Sequence, residues 1–344
     1  MFDNPDRSQN WSKTGKIADS SDLLPRFPEL QRQPCQITSL GSAGGLSGGA
    51  IWRIECDRRL YALRRWPAET TSARLRYVHS LQRLWRESNL KFIPELYTTA
   101  EGESFTENAL GFWELAEWMP GAALEGDTIS PQQRDAVAAA IAAIHQAAAQ
   151  HESSLEPSPG LRQRLTMLQR WRTMDRTMLQ DAIQRLGWPE FAAIAQQMLQ
   201  SFAYAANTIG DELQAIVSTP LPLHACLRDI HREHIFLTGA LVSGVLDFGA
   251  VRIESRAGDL ARLCGSLFED DRNRWDDFLA RYERLRPLSA AERRAIAVFD
   301  RSAVLLTGLQ WIEWIALERR QFPDPAAVLS RLDISLRRLQ FLLK

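Results

Sequence analysis

The hydrophobic period of the chain changes once, at Met119-Pro120-Gly121, and this change restricts the fold more than any other feature. Before it, apolar residues come in short extended runs over 36–40, 50–56, 60–66, 90–99 and 111–118, with Asp57-Arg58-Arg59 as one of the turns. A single helical pattern interrupts them at 71–87, where Leu75, Val78, Leu81, Leu84 and Trp85 recur at three- and four-residue spacing. After it, Ser130-Pro131 supplies an N-cap and a first helical residue for a stretch running to about 150. Helical patterns follow over 160–186, 190–216 and 259–344, broken near Pro287 and Pro323, and only 235–237 and 242–246 read as a hairpin of strands. The pattern predicts an α+β chain with a flexible arm (1–20), a β-rich N-lobe (21–118) and a larger, mainly helical C-lobe (119–344).

At 344 residues the chain has the length of about two domains. Lys plus Arg (41) against Asp plus Glu (42) leaves a formal charge of −1, without the basic footprint of a nucleic-acid or membrane-surface binder. No apolar run approaches the ~20 residues that cross a bilayer, and the first seven residues lack the order of a signal peptide. Cys35, Cys56, Cys226 and Cys264 are far apart and form no C-x-x-C pair, so reduced thiols in a cytoplasmic protein are expected rather than a disulfide or zinc site. A monomer or homodimer is expected.

The strongest constellation is Leu227-Arg228-Asp229-Ile230-His231-Arg232-Glu233-His234, followed thirteen residues after His234 by Asp247-Phe248-Gly249. Phosphoryl transfer needs a carboxylate beside the attacking hydroxyl and ligands for the ion that neutralises the triphosphate. Asp229 suits the first role. Asp247 suits the second, because a carboxylate oxygen is a hard ligand. An isolated Asp in a loop is usually a turn former; it is the joint spacing that carries the reading.

At these residues the chain resembles the aminoglycoside phosphotransferase and choline-kinase-like group, relatives of protein kinases. The group's pattern H-G-D-x-x-x-x-N, hairpin, D-F-G is met by Leu227-Arg228-Asp229, His234, the strand at 242–246 and Asp247-Phe248-Gly249, and its D-L-A by Asp259-Leu260-Ala261. The resemblance covers roughly 35–320. It implies a bilobal protein-kinase-like fold and a phosphotransferase that takes ATP (or GTP) with Mg²⁺ and a small-molecule hydroxyl acceptor. It implies that Asp229 is catalytic, that His234 and Asp247 hold the metal, and that Asp259 ties the catalytic loop in place from the following helix. Asp259 arrives only twelve residues after Asp247, which leaves no room for a protein-kinase activation segment.

In the small lobe, Gly44, Gly45, Gly48 and Gly49 precede Ile51 between two strands, where glycine lets backbone N–H groups approach phosphates. Tyr61-Ala62-Leu63-Arg64 aligns with the kinase V-A-I-K strand, which places Ala62 against adenine and Arg64 at the phosphates. Alternation puts Ala62 and Arg64 on one face and Arg65 on the other. Residues 114–121 resemble the group's hinge, with Glu117, Trp118 and Met119 along the adenine edge. His145 fits the group's packed helix histidine, and His231 is read as bracing the loop. The acids at 269–271, 276 and 277 read as a solvated helix end, or else as an acceptor-site lining that favours cations.

Four departures stand out. Leu227 replaces His, Arg64 replaces Lys, His234 replaces Asn, and the helix at 71–87 offers His79 and Gln82 where a glutamate partner for residue 64 is expected. An arginine can still fork onto two phosphate oxygens, and an imidazole ligand shifts the metal preference from Mg²⁺ towards Mn²⁺. A competing reading is therefore a nucleotide-binding, pseudokinase-like regulatory protein without turnover.

Overall fold

The computed structural model describes residues 23–31, 35–41, 48–124, 129–322 and 324–343. The arm at 1–20 and the candidate residues Gly44 and Gly45 lie outside them. The chain divides into two compact units: one runs to Gly121 and takes in Ser243–Leu246, and the other comprises Ala122–Val242 and Asp247–Lys344.

The first unit holds β1 (Gln36–Gly41), β2 (Ala50–Cys56), β3 (Arg59–Arg65), α1 (Ser72–Glu87), β4 (Leu96–Tyr97), β5 (Thr106–Asn108) and β6 (Gly111–Glu117). The sheet is antiparallel with order β1-β2-β3-β6-β4, and β5 also pairs with β6. Between β2 and β3, Asp57 and Arg58 both have positive φ (48° and 61°), the backbone a two-residue hairpin needs to follow the strand twist. Cross-strand register puts Trp52, Leu63 and Leu115 on one face, and there they build the core with Ile54, Tyr61, Trp113, Leu23 and Phe27. Ile51, Arg64 and Glu114 are in register on the opposite face, with Ala62 two residues from Arg64. The expected strand at 90–99 shortens to Leu96–Tyr97, because Arg86 takes the carbonyls of Lys91 and Ile93 (2.6 and 2.9 Å) that a ladder would have used.

The cysteine expectation is corrected here. Cys35 and Cys56 form a disulfide, with a Cα–Cα distance of 4.6 Å. The cause is register: Gln36 pairs with Glu55, so the next residues outward face each other across β1 and β2. Linear spacing does not reveal that. Cys226 and Cys264 are free and buried.

The second unit begins with β7 (Ala122–Ala123), α2 (Pro131–His151), β8 (Ser154–Pro157), α3 (Pro159–Thr173), α4 (Arg176–Gln184) and α5 (Pro189–Ile216). It continues with β9 (Pro220–Cys226), β10 (Ile235–Thr238), the start of β11 (Leu241–Val245, whose residues from Ser243 onward count with the first unit), β12 (Arg252–Ser255), α6 (Arg256–Phe268), α7 (Arg272–Leu285), α8 (Ala290–Ile312) and α9 (Pro325–Leu342). Ser130 caps α2 in a capping box with Gln133. The sequence pattern shows neither β9 nor β12. Their antiparallel ladder, Cys226 opposite Arg252 through Leu223 opposite Ser255, sets the start of α6 beside the loop that leaves β9. With its π-helical extension, α8 spans Ala290–Leu317 and is long and apolar enough to cross a membrane, contrary to the sequence reading. Most of its apolar stretch is nevertheless buried within the protein, as in the core helix of a globular unit.

Candidate active site

The loop after β9 is held from α6. Fully buried Asp259 accepts the backbone N–H of Leu227 (2.7 Å) and of Arg228 (2.6 Å), the anchoring role the sequence implied. Its Oδ2 also meets His145 Nε2 (3.1 Å), whose Nδ1 meets the Tyr282 hydroxyl (2.8 Å). Burial depresses the His145 pKa more than Asp259 raises it, so the ring is neutral, donating to Asp259 and accepting from Tyr282. Arg228 then takes the left-handed region (φ 64°), a strained conformation for a side-chain-bearing residue directly before Asp229.

His234 connects the two acidic positions. Its Nδ1 donates to the Asp229 carbonyl (2.9 Å), so in the neutral ring Nε2 carries the lone pair. That nitrogen lies 3.8 Å from Asp247 Oδ2, while Oδ1 accepts the Gly249 N–H (3.1 Å). Asp247 is itself left-handed (φ 60°). Ligand atoms of one cation lie about 3–4 Å apart. An imidazole nitrogen and a carboxylate oxygen at this spacing therefore fit a divalent ion. His231 lies against His234 with ring centroids 3.8 Å apart and the rings tilted, and burial, then His234 and Arg262, push its pKa down to about 4. The neutral ring braces His234. Asp229, whose side chain is about half exposed, pairs with Arg262 of α6 (2.6 Å), a partner the sequence reading missed.

In the first unit the expected helix partner of Arg64 is rebuilt. His79 of α1 bonds through Nε2 to Glu114 Oε2 (2.7 Å) and through Nδ1 to Ser104 Oγ (2.8 Å). Trp66 Nε1 donates to the same Glu114 oxygen (2.7 Å), and the Arg64 guanidinium lies 4.3 Å from the Trp66 ring centroid. Burial is the largest influence on Glu114 and pushes its pKa up, but the His79 bond, the His79 and Arg64 charges and Trp66 together bring it below the usual range. The acid that serves Arg64 thus comes from β6, in register with it, and the helix contributes His79. The signal was Glu114 itself, read only as part of the hinge.

Along that hinge, the Glu117 N–H bonds to Glu95 O (2.8 Å) and the Trp118 N–H to Leu60 O (3.4 Å). The Glu117 carboxylate pairs with Arg86 (2.9 Å). These groups are engaged within the unit, whereas the Met119 N–H has no such bond among the described residues. Gly48 is left-handed (φ 78°) with open space around it, as a backbone cradle requires. Three of the five acids are taken up in ion pairs and a cap: Asp270 with Arg338 (3.1 Å), Asp277 with Arg134 (2.8 Å), and Asp271 capping α7.

The family model described as "Phosphotransferase enzyme family" matches residues 41–299, three quarters of the chain and all of the loop geometry above. The chain belongs to that family of small-molecule phosphotransferases. Among curated proteins, a homoserine kinase of Methylocella silvestris is 32% identical over 147 residues, which is 39% of this chain and 45% of that protein, so the match spans less than half of the relative. Among solved structures, an amicoumacin kinase in complex with AMP-PNP, Ca²⁺ and Ami has a TM-score of 0.60 at 14% identity, over 88% of each chain. A spectinomycin phosphotransferase with ADP and spectinomycin scores 0.57 at 12%, over 91% of this chain and 90% of that one. A choline/ethanolamine kinase family protein from Mesorhizobium loti scores 0.53 at 15%, over 92% and 97%. These likenesses establish the α+β fold, with its N-terminal antiparallel sheet and mostly helical remainder.

Proposed function

We propose that this phosphotransferase moves the γ-phosphoryl group of ATP, or of GTP, to a hydroxyl of a small molecule. The observation that carries the reading is His234, whose ring spans the Asp229 carbonyl and the Asp247 carboxylate on a loop anchored by Asp259. Asp229 orients the acceptor hydroxyl and takes its proton. Asp247 and His234 would hold a divalent ion, which supplies charge neutralisation at the phosphates. Arg64, steadied by Glu114 and the Trp66 face, clamps phosphate oxygens, and Gly48 and Gly49 offer backbone N–H groups to the same anions. Ile51 and Ala62 flank the adenine, and the Met119 N–H meets its edge. The chemistry is mainly positioning and charge stabilisation.

Two measurements test this. ATP with Mg²⁺ is expected to raise the melting temperature of the wild type and to leave Asp247→Ala unmoved; an undiminished shift in that variant contradicts the metal role. ADP release over a panel of hydroxyl acceptors is expected to fall about 100-fold in Asp229→Ala. Nucleotide binding without ADP release on any acceptor would favour a regulatory, pseudokinase-like protein instead.

The imidazole ligand yields a separate expectation. Neutral nitrogen donors suit Mn²⁺ better than Mg²⁺, so turnover at saturating nucleotide is expected to be higher with Mn²⁺, and His234→Asn is expected to move the preference towards Mg²⁺. Equal rates with both ions in wild type and variant would remove His234 from the ligand set.

A further inference from the structure

Arginines surround Asp229 in sequence and in contact. Arg262 of α6 holds its carboxylate at 2.6 Å, and both side chains are close to half exposed (43% and 45%). Arg228 directly precedes it, and its guanidinium makes no hydrogen bond or ion pair among the described residues. Arg164 projects from the second turn of α3 and lies over the Phe299 ring at 4.7 Å, likewise without such a partner among the described residues. The three form one electrostatic group: burial, and then the charges of Arg228 and Arg262, push the Arg164 pKa down to about 10 against the opposing pull of Glu254.

Glu254 and Asp229 are both committed. Glu254 accepts from the Ser158 hydroxyl, the Gly160 N–H (2.6 Å) and the Ser255 N–H (2.8 Å), so its oxygens are occupied by internal donors. Asp229 is taken by Arg262. Arg228 and Arg164 are thus two guanidinium groups without a hydrogen-bond or ion-pair partner among the described residues. The acids at 270, 271 and 277, which would have made an acceptor region anionic, are bound to Arg338, the α7 N-terminus and Arg134.

We infer that the acceptor is a hydroxyl compound that also carries an oxyanion, a carboxylate or a phosphate, and that Arg228 and Arg164 bind that group while Asp229 faces the hydroxyl. This inference rests on the proposed phosphotransfer at Asp229. Guanidinium forks match planar carboxylates and phosphates, whereas the same arginines repel aminoglycoside-like or choline-like cations. Residues 228 and 164 are specificity determinants, and Arg262 adjusts between base and substrate.

The test separates this inference from the reading beneath it. The full chain is saturated with AMP-PNP and Mg²⁺, and its melting temperature is followed on adding malonate or glycerol 3-phosphate, with malonamide and glycerol as neutral counterparts at matched ionic strength. The anions are expected to raise the melting point by about 3 °C and the neutral compounds to leave it unchanged. A larger shift with malonate than with glycerol 3-phosphate points to a carboxylate, the reverse to a phosphate. Arg228→Gln and Arg164→Gln are each expected to abolish the anion shift while keeping the AMP-PNP shift. In turnover, serine against ethanolamine and glycerate against glycerol are expected to favour the acid at least tenfold in kcat/KM. An absent anion shift in the wild type, an anion shift that survives in both variants, or a preference for the amino alcohol overturns the inference. Loss of the AMP-PNP shift in the wild type itself overturns the phosphotransfer reading instead.

Discussion

Replacing Asp259 with alanine is expected to cost about 3–5 kcal/mol of folding stability and to abolish most turnover in the fraction that folds. The side chain is completely buried and serves three donors: two backbone N–H groups of the loop after β9 and the His145 ring. Alanine leaves all three without an acceptor, and a buried donor that loses its partner bears the full cost of desolvation. The strained φ at Arg228 coincides with the bond that fixes its N–H on Asp259. Released, the loop relaxes and carries Asp229 and the carbonyl that orients His234 away from their positions. Asn at 259 keeps one acceptor oxygen and sets an NH₂ against a donor, so it is expected to fall between wild type and alanine. Urea unfolding gives the stability change, and kcat, rather than the KM for ATP, reads the loop. An Asp259→Ala chain within about 1 kcal/mol of wild type would show that the loop is anchored elsewhere.

That anchor was legible because it is local in sequence and fixed in spacing. Asp229, His234, Asp247 and Asp259 lie within one continuous stretch, and a loop, a hairpin and a helix start leave few ways to arrange them. The fold was legible for a related reason: hydrophobic period distinguishes α1, α2 and α5 from β1 to β3 without tertiary information. What the sequence hid depends on register across long separations. Cys35 and Cys56 meet because β1 and β2 pair in one particular register. Arg64 acts on Glu114 because β6 lies beside β3 and puts the two in register, fifty residues apart in the chain. Kinase-like chains place that glutamate on the helix, where this chain has His79, a residue to which sequence alone assigns no role. The strands β9 and β12 were missed because one holds two prolines and the other is only four residues long, and neither alternates cleanly.

Charge was the least legible property. The acids after α6 suggested a cation site, and their arginine partners lie as far as 143 residues away. Near Asp229, Arg164 of α3, Arg228 of the loop after β9 and Arg262 of α6 act on one another. Composition balances to −1 over the whole chain and conceals such local groupings.

Stability is expected to fall steeply as the pH drops below about 6.5, before the carboxylates titrate. Three histidines of the second unit are held neutral. Burial, followed by the proximity of His145, pushes His224 down to about 3, with the Ala225 carbonyl opposing. His231 is pushed down to about 4, and His145 is also lowered, in each case first by burial. Each folded pKa lies below the unfolded value, so between the two the unfolded chain binds a proton that the folded chain refuses. Stability therefore rises with pH across that window and is lost as pH falls through it. The full slope is roughly 1.4 kcal/mol per pH unit for each histidine, or about 3 kcal/mol per unit for His224 and His231 together, and His145 adds in the same direction. The urea midpoint measured at about pH 7.5, 6.5 and 5.5 is expected to be nearly flat across the first interval and to drop sharply across the second. His231→Phe keeps a ring against His234 while removing one titrating group, and it is expected to shallow the slope by roughly 1.4 kcal/mol per pH unit. A midpoint that stays level down to about pH 5.5 would mean that these rings protonate in place, and the neutral tautomer assigned to His145 between Asp259 and Tyr282 would have to be abandoned.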